Sequence, residues 1–286
     1  MPFTRRELAK EGGVSERLIA EWVRLGILDS PERVGRRDGQ RGALYQWPDS
    51  QRALLLSVLE KRDQIRHTKG LVQIPIGIWL YWGDEWVPVR QIRRAVVTFT
   101  GLYGPPRSWE RAQANAREVV RTLKKKGAPR VALDALREEL TSGFFHGKLN
   151  ADVLQPLVEK VLRIDERTGG WSPFGYDATE MVRWIRGSVA AIADLGQFSD
   201  GDFYEARARI RDGILSYATQ WRYFAQDPDY GQMFQPLTME ILMNRAGQDL
   251  IFALGLRRVA DEDRIVLPPV PLTDWKQPPL DLISIT

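Results

Sequence analysis

A chain of 286 residues that is 43% apolar and 27% charged has material for two or three packed units and the balance of a globular protein. It contains no cysteine, which excludes disulfides and thiolate metal sites. The net charge of +4 is unevenly spread: residues 86–130 carry eleven Lys/Arg against two Asp/Glu, and residues 131–286 carry sixteen against twenty-three. That asymmetry points to a polyanionic partner at the N-terminal end.

The first elements lie in "FTRRELAKEGGVSERLIAEWVRLGIL", residues 3–28. Thr4 and Glu7 have capping-box spacing, with Phe3 and Leu8 placed as the hydrophobic staple, so a helix from Arg5 to about Glu11 is predicted. Gly12 and Gly13 permit a tight turn, and Ser15 is a natural N-cap for a second helix. Leu18, Ile19, Trp22 and Val23 form its apolar stripe, while Arg17, Ala20, Glu21 and Arg24 share the opposite face. Gly26 stands where a C-terminal glycine ends a helix. Arg33, Arg36, Arg37 and Arg41, interleaved with glycines and followed by "ALYQW", suggest a basic hairpin. A third helix starts at Pro48-Asp49-Ser50.

This stretch resembles the N-terminal winged helix-turn-helix of the MerR family, with its aromatic-Thr, Glu-Leu-Ala and Gly-Val-Ser elements in Phe3-Thr4, Glu7-Leu8-Ala9 and Gly13-Val14-Ser15, followed by Leu25-Gly26-Ile27-Leu28. The likeness covers residues 3–66, under a quarter of the chain. It implies double-stranded DNA binding, with Ser15, Arg17 and Arg24 contacting DNA from the second helix and Arg33, Arg36, Arg37, Arg41 and Tyr45 acting from the wing. The chain departs from the family in carrying Ala20-Glu21-Trp22 where members usually have Arg-Tyr-Tyr, and it lacks the long dimerisation helix expected after the third helix.

In its place "GLVQIPIGIWLYWG", with Pro75 inside it, favours short strands or an irregular buried segment. It is far too short to span a bilayer. Next, Ile92, Ala95, Val96 and Phe99 share a helical face, with Arg90, Arg93 and Arg94 elsewhere. Gly-Pro-Pro at 104–106 breaks the chain, and Ser108 caps a helix predicted over 109–126 that ends in Lys124, Lys125 and Lys126, candidate flanking contacts to DNA phosphates. Further helices are predicted near 129–142, 151–165, 175–195, 201–226 and 235–258, before an extended Pro-rich tail over 267–286.

The search for chemistry is negative. His67 and His146 have no partner at ligand spacing, and no phosphate-binding glycine loop appears. Asp200-Gly-Asp202 and Asp261-Glu-Asp263 read as helix-start or loop carboxylates. Trp171, Trp184, Trp221 and Tyr223 sit in aromatic concentrations that read first as core packing and otherwise as the lining of a pocket for an apolar or cationic ligand.

The expected protein is therefore mainly α: residues 1–68 a winged helix-turn-helix, 69–127 a basic connecting region with a strand-like segment, 128–266 an all-α sensor or oligomerisation domain, and 267–286 a tail. The expected function is sequence-specific DNA binding by a transcriptional regulator, with no enzymatic activity, no cofactor and no metal. A cytoplasmic, nucleoid-associated homodimer, with a small-molecule effector as a second partner, completes the expectation. The alternatives are an excisionase-like architectural factor of mobile-element type and, less favoured, an enzyme targeted to DNA.

Overall fold

The computed structural model describes residues 2–36, 43–65, 67–101, 108–162, 177–226 and 236–263. The expected tail lies outside them, as do Trp171 and Gly-Pro-Pro 104–106. The described chain is mainly helical, with a single two-stranded antiparallel sheet among the described residues.

The N-terminal unit runs α1 (Arg5–Glu11), α2 (Glu16–Leu25), β1 (Glu32–Arg36), β2 (Ala43–Gln46) and α3 (Asp49–Arg62). Local chemistry sets its boundaries. The Thr4–Glu7 capping box is closed in both directions, the Thr4 amide donating to Glu7 Oε2 at 2.7 Å and the Glu7 amide to Thr4 Oγ1 at 3.4 Å. Phe3 pairs with Trp47 in an antiparallel bridge, tying the chain start to the end of the hairpin. Gly26 ends α2 at φ +77°, a conformation that costs a residue with a Cβ.

α4 (Thr68–Leu71) and α5 (Gln73–Tyr81) follow, then α6 (Val89–Phe99). Here the expectation of strands or irregular chain over 70–83 is corrected, because the segment is helical. Pro75 is the third residue of α5, inside the first turn, where its missing N–H would have had no intrahelical acceptor. The same helix is buried nearly all round, at Pro75, Ile76, Gly77, Trp79, Leu80 and Tyr81. A helix without a polar face leaves no 3.6-residue signature in sequence, and a short apolar run then reads equally well as strand.

α7 (Trp109–Leu123), α8 (Arg130–His146), α9 (Ala151–Val161), α10 (Ala178–Ala193), α11 (Asp200–Phe224) and α12 (Met239–Asp263) complete the described chain, with a 3-10 turn at Leu195–Gln197. α7 is shorter than expected. Lys124 leaves the helix into extended backbone, bridges to Leu162, and Lys125 N–H donates to Val161 O at 2.8 Å. The three lysines therefore form a short link strapped to the end of α9, not a helix face.

Two apolar cores result. One gathers α1–α3, α5, α6, α11 and most of the buried side of α12; the other gathers α7, α8, α9 and the first three turns of α10. Neither expected boundary, at 68/69 or 127/128, coincides with the division between them. α5 lies at the centre of the first core, between α6, α11 and α12. Gln73 fixes it to α12 twice, donating to Asn244 O at 2.5 Å and accepting from Gly247 N–H at 2.9 Å. α10 and α12 cross where Gly187 faces Gly255; a Cβ on Gly255 would lie 2.3 Å from Gly187 backbone atoms, so only two glycines allow this approach.

The N-terminal unit meets α6 just as closely. A Cβ on Gly26 would lie 2.3 Å from Ala95 N. Thr98 Oγ1 donates to Leu25 O at 2.8 Å, satisfying one of the carbonyls that the end of α2 leaves open. Gln91 Nε2 donates to Ile27 O at 2.9 Å and to Gly26 O at 3.3 Å, and its Oε1 accepts from Gln51 Nε2 at 2.9 Å. Gln51 Oε1 in turn accepts from the Asp29 amide at 2.7 Å. The carboxylate of Asp29, whose side chain is 5% exposed, takes Arg90 at 2.6 Å and Arg94 at 2.8 Å, and the Asp29 carbonyl accepts from Trp47 Nε1 at 2.7 Å.

Two outcomes follow for stability. Gly26→Ala combines the left-handed backbone cost with a clash against α6 backbone, so we expect a loss of about 2–5 kcal/mol in urea unfolding. Asp29→Ala strands two guanidinium groups that remain partly solvated, so its expected cost, on the order of 2–3 kcal/mol, falls below that of a fully buried pair. A urea midpoint within error of wild type for either variant would show that the α2–α6 junction is not a determinant of stability.

Candidate nucleic-acid interface

α2 is amphipathic by construction. Ile19, Trp22 and Leu25 are buried, and Leu18 and Val23 pack against the same core. The opposite face presents Arg17, Ala20, Glu21 and Arg24 to solvent. Both helix ends are closed, by Ser15 at the N-terminus and by Gly26 against α6 at the C-terminus. The result is a ten-residue helix, capped at both ends, with an exposed polar face, a shape and chemistry that suit a major groove.

The hairpin follows within a few residues. Its register pairs Glu32 with Gln46, Arg33 with Tyr45, Gly35 with Leu44 and Arg36 with Ala43, leaving Val34 as the extra residue of a bulge. Arg33 is exposed, Tyr45 is 51% exposed and Val34 49% exposed. Arg36 closes β1, while Arg37 and Arg41 lie outside the described residues. Exposed cations that composition alone did not single out sit on α1, at Arg5, Arg6 and Lys10. Capping of α1 leaves their face outward, because Leu8 and Ala9 carry its burial.

Ser15 has a structural duty. Its Oγ accepts from Leu18 N–H at 3.2 Å, so it starts α2 whatever else it does. Arg17 makes no ion pair among the described residues, which leaves its five donors available to a partner.

The basic segment 86–130 is much less available than its composition implies. Arg90 and Arg94 are held by Asp29, and the hydrogen bond to Asp29 raises the Arg90 pKa further above its ordinary value. Arg93 pairs with Asp200 at 3.0 Å and lies over the Phe203 ring. Arg111 donates to Gly101 O, and Arg121 pairs with Glu118 at 2.5 Å. Lys124 and Lys126 are exposed and Lys125 is half-buried, and none of the three makes an ion pair among the described residues.

The aromatic residues singled out in the sequence are dispersed. Trp184 packs against Phe252 of α12 at 6.1 Å, Trp221 is half-buried beside Arg222, and Tyr223 is 76% exposed. A tighter aromatic site lies elsewhere. Arg207 covers Trp79 at 4.6 Å and Tyr204 at 5.0 Å, while Asp84 accepts from Trp79 Nε1 at 3.0 Å, from Tyr204 OH at 3.1 Å and from Arg207 at 2.9 Å. Every polar atom named in that site is satisfied internally, so it clamps α11 to α5 and its following turn. Among the described residues no cluster of His, Asp and Glu is suited to hold a metal ion, and no helix is long and apolar enough to cross a membrane. Asp200 and Asp202 stand at the start of α11, where Asp202 closes a capping box with Ser199.

Comparison with protein-family models, with curated proteins and with solved structures gives no match to this chain.

The Ser15 geometry separates its two assignments. Ser15→Ala should cost about 1 kcal/mol of stability through loss of the cap, whereas Ser15→Asp should retain the cap. Chemical denaturation of the two variants checks this; equal stability of Ser15→Ala and wild type would leave Ser15 free for a partner alone.

Proposed function

We propose that this protein binds double-stranded DNA in a sequence-specific manner and acts as a transcriptional regulator. The observation that carries the reading is the solvent-exposed Arg17, Ala20 and Glu21 on a helix whose opposite face is docked and whose two ends are capped. The likeness of residues 3–66 to the MerR-type winged helix-turn-helix supports it, as does the order helix, turn, helix, hairpin, helix.

The chemistry of the face suggests the roles. Arg17, in the first turn of α2, offers a guanidinium fork to O6 and N7 of guanine. Glu21, one turn further on, accepts from the N4 amino group of cytosine, which fits a helix reading a G·C pair better than one gripping phosphates. Arg24 at the far end, Arg33 and Tyr45 on the hairpin, and the α1 cations then supply backbone contacts that set register. In this reading the helices after α6 form the sensing or oligomerising body. A homodimer would place two such faces on two half-sites, as the symmetry of most DNA regulators requires.

Lys124, Lys125 and Lys126 lie between α7 and α8, the helices of the second core, and contribute at most sequence-independent attraction along a longer duplex.

The test begins with selection of a preferred duplex from a random pool by the full chain. Arg17→Ala should then reduce the ratio of specific to nonspecific affinity by a factor of about 5–150, equivalent to 1–3 kcal/mol of lost base discrimination. Equal losses on the selected duplex and on random duplex would remove Arg17 from base readout. Absence of any selected sequence from the full chain would remove the function itself.

A further inference from the structure

Between α3 and α5 lies a pocket of about 270 Å³, lined by Ser50, Ala53, Leu54 and Ser57 of α3, Ile78 of α5, and Trp82, Trp86 and Val87 that follow it. We propose that this pocket binds an uncharged, planar aromatic molecule of about two fused rings bearing one hydrogen-bond donor.

Each part of that description comes from the walls. The lining is apolar apart from two serines and contains no titratable side chain, so a charged ligand would be desolvated without compensation. An apolar cavity of roughly 150 Å³ accommodates benzene, which leaves room here for a second ring. Trp82 and Trp86 in the lining provide flat π surfaces for a flat ligand. Trp86 is 43% exposed, an unusual state for so large an apolar side chain, and covering it would recover buried area. Ser57 Oγ already donates to Ala53 O at 3.0 Å, so towards a ligand it acts as an acceptor, and the matching ligand group is a donor.

The position gives the pocket a consequence. Trp86 O accepts from Gln51 Nε2 at 3.3 Å, and Gln51 also bonds the Asp29 amide and Gln91, which holds the carbonyls of Gly26 and Ile27. A ligand seated against Trp86 therefore presses on the polar network that fixes the end of α2. The binding site stands on the pocket alone; its effect on DNA rests on the function proposed above.

The probe is 2-naphthol, titrated into the full chain by calorimetry and by tryptophan emission. One-to-one saturable binding is expected. Trp86→Ala, which keeps the backbone carbonyl that Gln51 uses, should weaken it about tenfold, consistent with loss of one aromatic wall. Ala53→Phe should abolish binding by filling the pocket. Ser57→Trp obstructs the same pocket from an exposed rim position, and serves if Ala53→Phe fails to fold. 2-Methylnaphthalene, with a methyl group of similar size in place of the hydroxyl, lacks the donor and should bind several-fold more weakly, the worth of about one neutral hydrogen bond. Absence of saturable binding, or binding undiminished in Trp86→Ala and in the filled variants, overturns the site. Trp86-dependent emission that changes with protein concentration and without probe also overturns it, by showing a second copy as the occupant. Binding of 2-naphthol with unchanged affinity for the selected duplex overturns the coupling. Calorimetric binding by a chain that selects no DNA supports the site and overturns the DNA reading, so the two failures are distinguishable.

Discussion

Asp29 is a nearly buried carboxylate at the point where α2 gives way to β1. A buried carboxylate must be met by cations and donors or the site is lost. Both cations come from one helix, α6, one turn apart at Arg90 and Arg94, and the glutamine between them satisfies the neighbouring carbonyls. This fixes α6 against the end of α2 in rotation as well as in position. Gly26 then lets the two backbones touch, and Thr98 completes the capping of α2 from the other end of α6. The N-terminal unit is thus joined to the helical body by a hydrogen-bonded polar network across a close backbone contact, with Gln51 linking α3 into it and Arg94 Nε buried without an acceptor.

Local signals made much of this legible in the sequence. The capping box at Thr4, the cap at Ser15, the glycine at 26 and the stripe Leu18, Ile19, Trp22, Val23 are short-range instructions, and each appears where spacing places it. α5 was not legible because its signal is cancelled by its environment: a helix buried on every side has no polar face to mark its period, and Pro75 suggests a break where it only occupies a first turn. The end of α7 was missed for a different reason. Its stop is set by pairing of Lys124 with Leu162, nearly forty residues away, and no local residue announces that partner. The pocket beside Trp86 was invisible for the same reason, since α3 and the turn after α5 meet only in three dimensions.

The excess of cations over 86–130 is real in composition, yet three arginines of α6 are directed at Asp29 and Asp200, carboxylates distant in sequence from α6. A local tally sees cations without their acceptors. Arg90 and Arg94 thus serve the joint between α2 and α6, while at the N-terminal end Arg5, Arg6, Lys10, Arg17 and Arg33 face solvent.

That joint also changes how a signal would travel. In a protein whose reading element hangs from a flexible linker, events in the body alter only effective concentration. Here the end of α2 is held by side chains whose own partners lie on α3, on α6 and at the turn carrying Trp86. α6 is in turn packed on α5, and α5 is pinned to α12 through Gln73 and to α11 through Arg211, which donates to Leu80 O at 2.6 Å. Burial depresses the Arg211 pKa to about 10, which leaves the side chain cationic at neutral pH and dependent on its fixed partners. A displacement of α11 or α12 cannot be absorbed by a tether, because the path from them to the exposed face of α2 consists of helices in contact and bonds already at hydrogen-bond length. Such a connection transmits a shift only if the network has two satisfied arrangements. Gln51 and Gln91 cannot provide the second by exchanging their amide ends, because they face a backbone N–H at Asp29 and backbone carbonyls at Gly26, Ile27 and Trp86 whose donor and acceptor roles are fixed; a second arrangement needs those backbone groups to move with the side chains.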